Sequence, residues 1–162
     1  MITLYLHGLE SKLNDEKRNI LERYSTVIAP DMDYRNNPNV FDHLKNLTDI
    51  YTIDVFIGSS MGGLMAYQLS KMYDKPALIF NPALPFKSVG QHIPKIENIR
   101  NAFLKVIIGG QDDILLPLEN FNWIFQYEQG DFEIKWNNLQ GHQTPVKIFD
   151  VEVKTFFERL NL

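Results

Sequence analysis

Short apolar segments alternate with longer amphipathic segments along the whole chain, and this alternation restricts the fold more than any other feature. Six apolar segments have the length of strands: Ile2–Leu6, Thr26–Ala29, Val55–Ile57, Ala77–Phe80, Leu104–Ile108 and Phe132–Trp136. Strands with few polar residues are typical of parallel sheets that are covered on both faces. Alternation of such strands with helices is typical of βαβ units. We therefore predict an α/β fold, with a mostly parallel six-stranded sheet and helices on both faces.

Helical periodicity appears between these strands, in five segments: Asn14–Tyr24, Val40–Leu47, Met61–Met72, Leu118–Gln126 and Val146–Leu160. In the first of them, Lys17 lies on the same stripe as Ile20 and Leu21. In the fourth, we expect Leu118 and Phe125 to face the core. Each helix is long enough to cover part of one sheet face.

The segment from Asn81 to Phe103 interrupts the pattern, because it contains several prolines and a glycine. We predict a loop or small cap at 81–103, with a short helix at Ile96–Phe103 and a minimal lid or none. The chain has 162 residues, of which 44% are hydrophobic, and it shows no linker or repeat. These features predict one domain that spans residues 1–162.

Charge and composition exclude several classes of function. Sixteen basic residues stand against 20 acidic ones without a basic run, so no nucleic-acid partner is expected. The chain has no cysteine and its four histidines are scattered, so we expect no metal and no cofactor. No segment approaches the roughly 20 apolar residues of a membrane span, and no basic segment precedes Ile2. We therefore expect a cytoplasmic protein without a membrane partner.

A G-x-S-x-G motif lies between a predicted strand and a predicted helix, from Gly58 to Gly62. So sharp a turn strains the backbone of Ser60, and side chains two residues before and after it would collide. The motif alone is weak evidence, since glycine-rich turns also bind phosphates. However, Ser60 stands where a dinucleotide fingerprint needs its second glycine, and no phosphate-loop lysine follows. We therefore predict Ser60 as a nucleophile, with Gly58 and Gly62 as the glycines of its elbow.

Two backbone amides are predicted to form an oxyanion hole beside Ser60. Met61 begins the following helix, so its amide and the helix dipole point toward the reacting carbonyl. The second amide should come from the loop after the first strand, where Leu9 follows His7 and Gly8. We expect His7 to order that loop rather than to transfer protons.

A base and an acid should follow the last two strands. His142 comes after the last strand and is the best placed of the four histidines. The preceding strand leads to Asp112 and Asp113, so the chain order is serine, aspartate, histidine. The distances along the chain from Gly110 and to Pro117 favour Asp113 as the acid. The pattern of an aspartate followed by an acidic and two aliphatic residues favours Asp112. We take Asp112 as the acid, with Asp113 as the alternative.

Together these motifs resemble the α/β-hydrolase superfamily and, within it, the YqiA-like small esterases. The matching segments are Leu4-Tyr5-Leu6-His7-Gly8, Gly58-Ser59-Ser60-Met61-Gly62-Gly63, Asn81-Pro82-Ala83, Asp112-Asp113-Ile114-Leu115 and Gly141-His142. The resemblance implies a serine esterase in which Ser60 is the nucleophile, His142 the base and Asp112 its partner. Two features depart from it. The chain is short between Asn81 and Leu104, and Gln143 stands where a small or aromatic residue is expected.

These residues predict hydrolysis of a small acyl ester through an acyl-enzyme. A thioesterase or amidase would use the same triad. The alternative from another class is a non-catalytic module of this fold that binds a small ligand or a protein. The little room for a lid predicts short acyl chains, for which Leu84 and Phe86 are candidate pocket residues. The sequence does not predict an oligomeric state.

Overall fold

Strands and helices alternate throughout the parts of the chain that the computed structural model describes, which are residues 1–95 and 102–161. Within those parts the elements are β1 (Ile2–Leu6), α1 (Asp15–Glu22), β2 (Thr26–Ile28), α2 (Val40–Tyr51), β3 (Val55–Ser59), α3 (Met61–Tyr73), β4 (Ala77–Phe80), β5 (Leu104–Gly109), α4 (Pro117–Tyr127), β6 (Phe132–Asn137) and α5 (Val146–Arg159). Each predicted strand begins at the residue where the structure has it. The helix expected at Ile96–Phe103 lies almost wholly outside the described residues.

All neighbouring strands of the sheet are parallel, in the order β2-β1-β3-β4-β5-β6. The predicted α/β fold is therefore confirmed. β1 lies between β2 and β3, so the chain reverses its direction of travel across the sheet at this strand. The loops that follow β1 and β3 consequently leave the same edge side by side. Ligands of open α/β sheets bind at such a switch point, beyond the carboxyl ends of the strands.

Helices cover both faces of the sheet, as predicted. On one face, residues of α2, α3 and α4 such as Leu44, Leu64 and Ile124 pack with Leu4 and other sheet residues in one core. On the other face, residues of α1 and α5 pack against the alternate residues of the same strands, including Tyr5, Ile57 and Phe80. None of the helices in the described ranges is long and apolar enough to cross a membrane.

Helix α4 departs from the prediction. Leu118 and Phe125 are 62% and 70% exposed, so the expectation that they face the core is wrong. The buried residues of α4 are Asn120 and Ile124. The reason is that α4 packs beside β5 and reaches β6 through Phe121 and Trp136, and β6 is an edge strand of which no residue is fully buried. A helix at an edge finds less apolar surface to cover than one over the centre of the sheet.

Candidate active site

Ser60 occupies a strained turn between β3 and α3. Its backbone has φ 54° and ψ −120°, a conformation that residues other than glycine rarely adopt. Hydrogen bonds hold it on both sides. The Ser60 amide donates to the Phe80 carbonyl at 3.0 Å, and the Ser60 carbonyl accepts from Leu64 and Ala83 at 3.1 and 3.0 Å. The surrounding backbone thus enforces the strain, as is common at functional sites.

The glycines around Ser60 allow the close contacts that this turn requires. A Cβ atom on Gly58 would lie 2.2 Å from the Gly62 carbonyl oxygen, and one on Gly62 would lie 2.0 Å from the Leu6 carbonyl oxygen. Side chains at either position would therefore push α3 away from the sheet. A Cβ atom on Gly8 would lie 3.1 Å from the Ser60 Cβ, so the loop after β1 lies directly against the serine.

Ser60, His142 and Asp112 form a hydrogen-bonded chain, although they come from three separate parts of the sequence. The His142 Nε2 lies 3.2 Å from the Ser60 Oγ, and its Nδ1 lies 2.8 Å from the Asp112 Oδ2. The other Asp112 oxygen, Oδ1, accepts hydrogen bonds from the backbone amides of Ile114 and Leu115, both at 2.9 Å. Asp113 is exposed and does not contact the imidazole. Of the two candidate aspartates, the structure thus places Asp112 beside His142.

The surroundings of Asp112 keep its carboxylate ionised. Burial raises the pKa of this group, but the hydrogen bonds from His142 and from two backbone amides lower it more, so the net pKa is below its usual range. An ionised carboxylate accepts hydrogen bonds only, so the Nδ1 of His142 carries the proton. The neutral imidazole then has a free lone pair at Nε2, which faces the hydroxyl of Ser60.

Two glycines let the loops that carry Asp112 and His142 lie backbone to backbone. A Cβ atom on Gly109 would lie 2.6 Å from the Gln140 carbonyl oxygen. The amide of Gly110 donates to the Asn137 carbonyl at 2.7 Å, and the amide of Gln111 donates to the Gln140 carbonyl at 2.9 Å. This close approach places the carboxylate beside the imidazole.

Asn81 is a further residue of the site, and the sequence analysis noted it only within a resemblance. It follows β4, is almost completely buried and has a positive φ of 41°. Its Oδ1 accepts from the Gly109 amide at 2.6 Å, and its Nδ2 donates to the carbonyls of Gly141 and His142 at 2.9 and 2.8 Å. One side chain therefore joins β5 to the histidine loop. The available sequence signal was a polar residue directly after the apolar strand Ala77–Phe80, at the edge of the sheet where the other candidate residues were expected.

Of the two predicted oxyanion residues, Met61 follows Ser60 directly, and Leu9 follows Gly8, which lies against Ser60. Met61 is the first residue of α3, so its amide has no partner within that helix. Leu9 lines the cleft at Ser60. His7 has both ring nitrogens engaged in this loop: Nδ1 donates to the Gly8 carbonyl at 2.7 Å, and Nε2 accepts from the Met32 amide at 2.9 Å. The ring therefore orders the loop, as expected from the sequence.

A cleft of about 730 Å³ opens in front of Ser60 and His142. Its aromatic lining consists of Tyr5, Phe80 and Phe149, which pack against one another on the α1 and α5 face of the sheet.

Leu84 and Phe86, the predicted pocket residues, do not line this cleft. That prediction is wrong, because Leu84 is buried in the core on the opposite face and Phe86 is 61% exposed.

Metal ligands do not cluster in the described ranges, where no three His, Asp or Glu side chains converge.

Solved structures of several hydrolases share this fold. The chain is similar to a carboxylesterase of Bacillus cereus, with 16% identity and a TM-score of 0.68 over 97% of this chain and 87% of that one. It is similar to a putative α/β-superfamily hydrolase of Xanthomonas campestris, with 18% identity and a TM-score of 0.72 over 99% and 96%. A fluorophosphonate-binding serine hydrolase of Staphylococcus aureus, FphF, has 14% identity and a TM-score of 0.64 over 99% and 84%.

The chain belongs to UPF0227, an uncharacterised protein family whose model matches residues 2–103. The matched region contains the loop after β1, the turn at Ser60 and Asn81. Asp112 and His142 lie beyond it. No curated protein matches the sequence.

Proposed function

We propose that this protein is a serine hydrolase that cleaves small acyl esters. The observation that carries the proposal is the continuous chain of hydrogen bonds from Asp112 through His142 to Ser60 at the floor of an open cleft. Such a chain activates a hydroxyl that is otherwise a weak nucleophile. The fold that surrounds these residues is shared with a carboxylesterase and another hydrolase, which supports the same chemistry.

In the proposed reaction, the Ser60 Oγ attacks the ester carbonyl while the His142 Nε2 takes its proton. Asp112 holds the imidazole in the required tautomer and stabilises the imidazolium that forms. His142 then gives the proton to the leaving alcohol, which breaks the ester bond and leaves an acyl group on Ser60. A water molecule, deprotonated by His142, attacks this acyl-enzyme. His142 then returns the proton to the Ser60 Oγ as the acyl–oxygen bond breaks and the acid leaves.

Negative charge on the carbonyl oxygen would be stabilised by the amides of Met61 and Leu9. The amide of Met61 also benefits from the positive end of the α3 dipole. Loss of one such donor typically costs about 2.7–4 kcal/mol of transition-state stabilisation. The fixed position of the loop after β1, held by His7 and Gly8, supports the role of Leu9.

Esters of short, water-soluble acyl chains are the proposed substrates. The short segment between β4 and β5 leaves little chain for a lid that would cover a long lipid. A thioester or amide would meet the same triad, and comparison of matched oxygen esters, thioesters and amides would rank the three. Ester hydrolysis that Ser60→Ala abolishes is the expected result. Hydrolysis at an unchanged rate by that variant would contradict the proposal.

A further inference from the structure

Charged side chains line the cleft near Ser60, and most of them have a partner of opposite charge. Lys12 lies 2.7 Å from a carboxylate oxygen of Asp31. Glu10 lies 2.5 Å from the guanidinium of Arg35. Within each pair the two opposite charges neutralise each other at the rim of the cleft. They leave little net field for a charged substrate.

Lys17 differs from these residues. It also lines the cleft, yet across residues 1–95 and 102–161 its ammonium has neither a hydrogen bond nor a carboxylate partner. Burial lowers the pKa of Lys17, which reflects the cost of removing its charge from water. An anion bound beside this ammonium would offset that cost.

The position of Lys17 connects it to the nucleophile through the aromatic lining. Its Nζ lies 5.2 Å from the centroid of the Phe149 ring. That ring stacks on Phe80 at 5.1 Å and meets Tyr5 edge to face at 6.2 Å. All three rings line the same cleft as Ser60. The cleft thus combines an apolar surface, a candidate nucleophile and a cation that contacts an aromatic ring but no carboxylate.

We propose that Lys17 binds a carboxylate of the substrate, so that the preferred esters carry an anionic group a short apolar distance from the scissile bond. The aliphatic part of such a molecule would lie on the rings of Phe149 and Phe80. This inference rests on the proposed ester hydrolysis and names its substrate class. The overall negative charge of the chain does not oppose it, because the local field in the cleft acts on the bound group.

Two matched pairs of esters test the proposal. Monomethyl succinate and methyl butyrate have acyl chains of equal length, and only the first has a carboxylate in its acyl part. The butyrate ester of glycolic acid and ethyl butyrate place the same difference in the alcohol part. Hydrolysis is followed by proton release at constant pH. We expect the wild type to favour the anionic member of at least one pair.

Lys17→Met should raise the KM of the preferred anionic ester about tenfold to a hundredfold, the range for a lost hydrogen bond to a charged group. The kcat/KM of its neutral partner should stay within about twofold, and Lys17→Arg should restore most of the selectivity. Lys154→Met, on an exposed residue of α5 that is paired with Glu158, is the matched control for the loss of one positive charge. It should leave the selectivity unchanged.

The possible failures are distinguishable. If the wild type hydrolyses both members of each pair equally well and Lys17→Met leaves the ratios unchanged, the anion site is overturned while the hydrolase proposal stands. If the wild type hydrolyses none of the four esters, the proposed ester hydrolysis fails first. If Lys154→Met lowers the selectivity as much as Lys17→Met does, a general field effect replaces the specific contact.

Discussion

The side-chain amide of Asn81 donates a hydrogen bond to the carbonyl of His142 at 2.8 Å, so the residue after β4 holds the loop that presents the imidazole. The same side chain accepts from the amide of Gly109, which ends β5 on the way to Asp112. Two parts of the candidate triad are therefore fixed relative to each other through one buried asparagine. We regard Asn81 as a positioning residue.

Asn81→Gly should lower kcat about tenfold to a hundredfold, because small displacements of catalytic groups have effects of this size. Glycine tolerates the positive φ at this position, so the variant removes the side chain without adding backbone strain. KM should stay within about threefold, because Asn81 does not line the cleft. A loss of thermal stability with unchanged kcat in the folded protein would contradict the positioning role.

Asp112→Asn should lower kcat about 10⁴-fold, the size expected when a histidine is left in the wrong tautomer. Asp113→Asn is the matched control, since it makes the same change on the adjacent, exposed residue. It should retain nearly full activity. Steady-state kinetics with a short-chain ester measures both. Equal losses in the two variants, or a larger loss in Asp113→Asn, would show that the acid has been misassigned.

The lowered pKa of Asp112 also predicts how stability depends on pH. Because the native pKa lies below that of the unfolded chain, the ionised carboxylate contributes stability that is fully present above the ordinary value of about 3.9. This contribution is lost as the pH falls through the lower native value. Urea unfolding should therefore show wild type more stable than Asp112→Asn at neutral pH, with a difference that shrinks in acid. A constant difference would contradict the assigned direction.

Gly62→Ala should unfold or strongly destabilise the protein, because the added methyl group would lie 2.0 Å from the Leu6 carbonyl oxygen. Overpacking of this kind usually costs about 1–3 kcal/mol, and a contact with backbone atoms cannot be relieved by a rotamer change. Gly90→Ala makes the same substitution where nothing lies within 4 Å. Its melting temperature should stay close to that of the wild type. Similar melting temperatures for the two variants would refute the tight contact.

The sequence predicted the sheet and the order of its elements well, because long apolar runs and sharp glycine turns are local signals. It favoured Asp112 and kept Asp113 as the alternative acid, since the direction of each side chain depends on the turn after β5. The role of Asn81 depends on its contact with the loop of Gly141 and His142, which lies about 60 residues further along the chain. Lys17 was placed on the apolar stripe of α1, but only the packing against Phe149 shows what its ammonium faces.

Labelling by a fluorophosphonate tests the central claim most directly, because the reagent reacts far faster with a serine that a neighbouring base activates than with an ordinary hydroxyl. Intact mass followed by peptide mapping should find one adduct per chain, on Ser60 and not on the adjacent Ser59. Ser60→Ala should not be labelled and should lose ester hydrolysis. An unlabelled wild type, or an adduct on another residue together with full activity of Ser60→Ala, would contradict the account.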